Sequence, residues 1–199
     1  MITPTKLFFC LLVINLQLAK AQTSWTDWNY KARYAGYIIY TGASDTVKGW
    51  IEFRSASDNQ EQCIFYGQQN DKKPVEKYSA DQIKAYGING RHYRSIYYSG
   101  GLISSKLRFN LLFNDAGIGT YKWLSDGKES DVFAKINDPK TVPHTQDYFV
   151  LKFKSKMAEF VADYPELSKK IADGEKGYGI MKIFDIFDEY NKWYANGKK

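Results

Sequence analysis

Apolar and polar residues alternate with a period of two through the middle of the chain, and the pattern changes to a helical period after Lys154. In "TVKGWIEF", Val47, Gly49, Ile51 and Phe53 fall on one face and Lys48, Trp50 and Glu52 on the other, the pattern of a half-buried strand. "GYIIY" precedes it and is predicted to pair with it through the turn Gly42 to Asp45. "QCIFYG" reads as a further strand and "QNDKKP" as a polar loop, because Asn, Asp and Pro punctuate. Ser79 is placed to cap a single helical turn running to Ile83.

The stretch "AYGINGRHYRSIYYSGG" reads as a hairpin. Asn89-Gly90 supplies the two positive-φ residues of a type I′ turn. On the outgoing strand Arg91, Tyr93, Ser95 and Tyr97 share one face and His92, Arg94, Ile96 and Tyr98 the other, with Gly100-Gly101 ending it. "SKLRFNLLF" has the cleanest alternation, with Leu107, Phe109, Leu111 and Phe113 opposite Lys106, Arg108, Asn110 and Asn114. "TYKWL", a hairpin signal at Asp126-Gly127, "DVFAKI" and "YFVLKF" complete about seven to nine strands.

Two short helices follow, broken before Pro165, which suits a first helical turn, and stopped by Gly174 and Gly177. The last segment sets Ile180, Ile183, Phe184, Phe187 and Tyr190 on one side of a helix ending near Gly197, with Asp185, Asp188, Glu189 and Lys192 on the other. The element order predicts an α+β protein. Its body, residues 22–154, is a predominantly antiparallel β-sheet or a partly closed barrel; residues 155–199 form a C-terminal helical unit of two to three helices packed on the sheet.

The N-terminus changes where this domain is expected to work. Lys6 precedes the apolar run Leu7 to Leu18, and Ala19-Lys20-Ala21 is a small-x-small cleavage site, so residues 1–21 read as a signal peptide cleaved after Ala21. The run is too short for a stable transmembrane helix, and no second long apolar run exists. Cleavage removes 21 of 199 residues, leaving 178, and takes Lys6 and Lys20 with it, so the formal charge falls from +6 to +4. Cys10 also leaves, so Cys63 stands alone and no intramolecular disulfide is expected. The fold must then rest on its core, which aromatics at 17% of residues can supply. Cys63, in an apolar strand, is expected to be a buried, inert thiol.

Candidate chemistry is sparse. A small net charge on an exported chain argues against nucleic acid, whose phosphates demand dense positive charge. "GING" and "DAGIGT" lack the lysine or third glycine of phosphate-binding loops. His92 and His144 are far apart in sequence, and no metal-ligand spacing or calcium loop occurs, so neither metal nor cofactor is expected. A hydrolase would have to use His92 or His144 with a carboxylate. A carbohydrate-binding module would use exposed rings among Trp25, Trp28, Tyr30, Tyr34, Trp50, Tyr97, Tyr98 and Trp123. Within that set Trp50 and Tyr98, together with Arg94, are the candidate ligand-binding residues.

Three stretches, "GYIIYTGASDTVKGWIEF", "YSADQIKAYGINGRHYRS" and "YPELSKKIADGEKGYG" through "DEYNKW", resemble uncharacterised secreted proteins of Bacteroidetes-type bacteria. The resemblance implies export and a similar two-part architecture, and it brings no catalytic residues. The expectation is an exported, non-catalytic binding or assembly protein of the cell envelope, secreted or periplasmic, whose partner is an envelope protein or a glycan.

Overall fold

The computed structural model describes residues 28–98, 106–125, 127–135 and 142–197. The signal segment 1–21, Trp25 and Gly100-Gly101 lie outside the described residues. The chain is α+β, a β-rich body followed by C-terminal helices, and it divides into two compact units, 1–95 and 96–199.

In the first unit the strands are β1 (Arg33–Tyr40), β2 (Thr46–Glu52), β3 (Gln62–Tyr66), β4 (Glu76–Ser79), β5 (Ile83–Ile88) and β6 (Arg91–Ile96, whose last residue opens the second unit). They are ordered β4-β3-β2-β1-β5-β6, every pairing antiparallel. The order is open, which replaces the alternative of a partly closed barrel. The type I′ hairpin forms as expected: Ile88 pairs with Arg91 across Asn89 (φ 45°) and Gly90 (φ 81°). Tyr86 and Tyr93, directly opposite each other on β5 and β6, stack at 4.6 Å in the core.

The helix α1 (Ala56–Glu61) covers part of this core. Ser55 caps it by accepting from the Asp58 N–H, so "SASD" is a capping signature that the strand reading passed over. Its Asn59 carbonyl accepts from the buried Tyr86 hydroxyl at 2.5 Å. Ser79 does not start a helix. It closes a turn in which the Gln82 N–H donates to the Ser79 carbonyl and the Gln82 side chain accepts from the Ser79 N–H. A side chain thus competes with the helical backbone bond and lets β5 start at Ile83.

In the second unit β7 (Arg108–Asn114), β8 (Ile118–Ser125), β9 (Lys128–Lys135) and β10 (His144–Thr145) run antiparallel in that order. The β8–β9 turn has Gly127 at φ 73°. β7 breaks its predicted alternation in two ways: Asn110 is fully buried between Phe109 and Leu111 and bonds the Tyr98 and Arg108 carbonyls, and the register shifts between Leu112 and Asn114, leaving Phe113 exposed. A bulge moves every later side chain to the other face.

The expected strand "YFVLKF" is helical. It forms α2 (Gln146–Val150) and the first turn of α3 (Phe153–Phe160), separated by Lys152 at φ 60°. α4 (Pro165–Asp173) has Pro at its start and ends on left-handed Gly174, whose following N–H bonds the Lys170 carbonyl. A 3-10 turn at Ile180–Lys182 leads into α5 (Ile183–Ala195). The helices pack on the face of the sheet that carries Ile118 and Phe133. The opposite face carries Tyr121, Trp123, Val132 and Ala134 against Tyr98. No helix among the described residues is long and apolar enough to cross a membrane.

Candidate functional site

The residues that the sequence offered as a site are divided between the two units. Trp50, His92 and Arg94 lie in the first unit, Tyr98 and His144 in the second. His92 is half-buried on β6 opposite Gly87, which in turn faces Tyr37 on β1. The Tyr37 ring lies across the glycine, where a Cβ would come within 2.2 Å of it, and its hydroxyl meets His92 Nδ1 at 2.7 Å. That imidazole is therefore held by a tyrosine rather than by the carboxylate or serine of a hydrolytic site.

His144 is set among rings. It stacks on Tyr148 at 3.7 Å and meets Phe149 and Phe160 edge-on, while the Lys156 ammonium covers Tyr148 at 4.0 Å. Burial, aided by Lys156, pushes its pKa down to about 4. A general base at neutral pH needs a pKa nearer the working pH, so this imidazole is a neutral packing element. Between pH 4 and 6.5 the unfolded chain binds the more protons, so stability rises with pH there and is lost as pH falls. After allowance for solvent screening of a partly exposed ring, His144 should cost about 1 kcal/mol on going from pH 7 to pH 5. Urea unfolding of the protein and His144→Phe at both pH values checks this: the variant should lose less stability than the parent.

The sugar-platform candidates fare differently from one another. Trp50 is half-buried between Ala35 and Tyr66 on the neighbouring strands. Glu52, expected beside it as a polar edge, is buried and committed: Tyr66 donates to one of its oxygens and Arg54 to the other, each at 2.8 Å. Arg94 is half-buried opposite Ala85. Tyr98 is not a surface ring; it is 4% exposed and packs edge-on against Trp123 at 5.8 Å. Arg91 is 2% exposed beneath Trp28, 4.1 Å from ring centroid to guanidinium, so it belongs to the core rather than to a basic surface. Cys63 is fully buried and burial raises its thiol pKa well above the usual range, as an inert thiol requires.

A cleft that the sequence did not single out lies in the helical part of the second unit. It measures about 480 Å³ and is lined by Tyr164, Asp185, Glu189, Lys192, Trp193 and Asn196. Four of these, Asp185, Glu189, Lys192 and Trp193, stand on α5, spaced so that successive turns present them together, and Asn196 is the residue that caps its C-terminal end. Tyr164, just ahead of Pro165, stacks on Trp193 at 4.4 Å with planes 5° apart, which makes the aromatic wall. Its carboxylates are spoken for. Glu189 accepts from Lys170 and from the Tyr178 hydroxyl, each at 2.9 Å, and Asp185 pairs with Lys182 at 2.9 Å. The bonds to Glu189 and Tyr178 raise the Lys170 pKa, which keeps the ammonium charged. Lys192 has no carboxylate partner among the described residues.

A second, smaller groove joins Glu129, Ser130 and Asp131 of β9 to Thr145, Gln146 and Asp147. Asp131 pairs there with Lys122 at 2.6 Å. Among the described residues no group of three or more His, Cys, Asp or Glu side chains is placed to hold a metal ion. No protein-family model, curated protein or solved structure matches this chain.

Proposed function

We propose that the protein is exported by residues 1–21 and acts as a non-catalytic binding protein of the cell envelope, with the α5 cleft as its ligand site. The observation that carries this reading is the pairing of the cleft's carboxylates. Asp185 and Glu189 are each engaged by a lysine at hydrogen-bond distance. Acid–base catalysis needs a group free to exchange a proton near the working pH. Ion-paired carboxylates beside aromatic side chains instead suit recognition, in which a few placed polar groups orient a ligand against an apolar surface. The apolar N-terminal run with its Ala19-Lys20-Ala21 site supports export.

Cell fractionation with N-terminal sequencing tests both halves. The mature protein should begin at Gln22 and be retained with the envelope. Trp193→Ala should be exported and folded, yet released from that fraction. A mature chain that keeps Met1, or a variant retained as well as the parent, overturns the proposal.

A further inference from the structure

We infer that the α5 cleft takes a saccharide, and that the unpaired Lys192 makes it prefer one bearing a carboxylate. This rests on the reading of the cleft as a ligand site and adds the class of ligand. A sugar ring has an apolar C–H face and a polar rim, and both halves have counterparts here. The Tyr164 and Trp193 rings, stacked on each other with planes 5° apart, both line the cleft and supply its apolar part. The rim meets carboxylate oxygens of Asp185 and Glu189, the ammonium of Lys192 and the amide of Asn196. These groups mix acceptors and donors, which is what an array of hydroxyls demands, since every hydroxyl both gives and takes a hydrogen bond.

Charge narrows the class. Asp185 and Glu189 are neutralised by Lys182 and Lys170, so they accept hydrogen bonds without drawing a cation. Lys192 is the one ionised group of the lining without a counter-charge among the described residues. A uronate carboxylate beside it adds a charge-assisted hydrogen bond, stronger than the neutral bond a hydroxymethyl group makes in the same place. The volume, about 480 Å³, and the open mouth suit one or two sugar units of a longer chain rather than an enclosed monosaccharide.

Calorimetric titration of the mature protein with neutral gluco-, xylo- and chito-oligosaccharides and with uronate-containing oligosaccharides tests the inference. Binding is expected, with uronate chains at least about threefold tighter than neutral chains of equal length. Trp193→Ala should weaken every saccharide by tenfold or more. Lys192→Met, at an exposed position, should abolish the uronate preference and leave neutral binding in place. If Trp193→Ala unfolds, Asn196→Ala, also exposed, should still lower affinity about threefold. The inference is overturned if no saccharide binds at millimolar concentration, if neither the Trp193 nor the Asn196 variant weakens binding, or if Lys192→Met leaves the preference intact. Envelope retention that depends on Trp193 while every saccharide fails would overturn this inference alone, and the binding reading would stand.

Discussion

Gly36→Ala should destabilise the first unit by about 3 kcal/mol, whereas Gly42→Ala should cost about 1 kcal/mol. Both are glycines of the β1–β2 region, and the contrast separates two physical causes. A Cβ on Gly36 would lie 2.2 Å from the Gly87 carbonyl oxygen and within 3.2 Å of two Ile51 carbons. The first neighbour is backbone of the adjacent strand β5, so relief requires the β1–β5 pairing itself to move. Gly42 has open space around it, and its cost comes only from φ 82°, where an L residue is strained. Chemical denaturation of both variants, read in the first unit, checks the ordering. Equal losses would mean that β1 and β5 do not approach as closely as described. Gly87→Ala belongs to the same group with a different neighbour, the Tyr37 ring. Its cost should shrink in the Tyr37→Ala background, with a coupling above about 1 kcal/mol, because the two residues share one contact.

Those close approaches show which parts of this molecule are written locally and which are not. The β-hairpins were legible because turn chemistry is local. Asn89-Gly90 supplies positive φ whatever surrounds it, and Gly90 has nothing near it that a side chain would strike. The α1 helix was legible in principle through Ser55-Ala56-Ser57-Asp58, but a six-residue helix carries too few residues to display a period. "YFVLKF" misleads for the same reason in reverse. Over six residues a strand and a helix bury overlapping sets, and here the segment is split between two helices at left-handed Lys152: Phe149 is buried and Phe153 partly buried while Val150 and Leu151 are exposed.

The cleft was half legible. Asp185, Glu189 and Lys192 fall on the polar side of α5 in sequence, but Tyr164 joins them only through the packing of α4 against α5. No spacing rule links Tyr164 to Trp193. Aromatic content in a sequence carries no depth, and Tyr98, a candidate ring by sequence, serves a core.

Ile186→Ala should cost about 3 kcal/mol and Phe184→Ala no more than about 1 kcal/mol, although phenylalanine is the larger side chain. The sequence period placed Phe184 on the buried side of α5 and passed over Ile186. In the structure Ile183, Ile186, Phe187 and Tyr190 are buried and Phe184 is 49% exposed, touching Phe133 only edge-on at 5.9 Å. The phase shifts because Ile180 belongs to the preceding 3-10 turn, so the helical count starts at Ile183 and runs i, i+3, i+4, i+7. Two further contacts hold that phase. Asn191 bonds the Ile118 backbone twice, accepting from its N–H at 2.7 Å and donating to its carbonyl at 3.2 Å. The Tyr194 ring lies where a Cβ on Gly117 would sit, 2.5 Å from it. Because Trp193 follows from the same phase, the pair of alanine variants also tests the cleft. If Phe184→Ala proved the costlier, α5 would be rotated toward the sequence-derived phase, and Trp193 would leave Tyr164 and dissolve the aromatic wall on which the proposed ligand recognition rests.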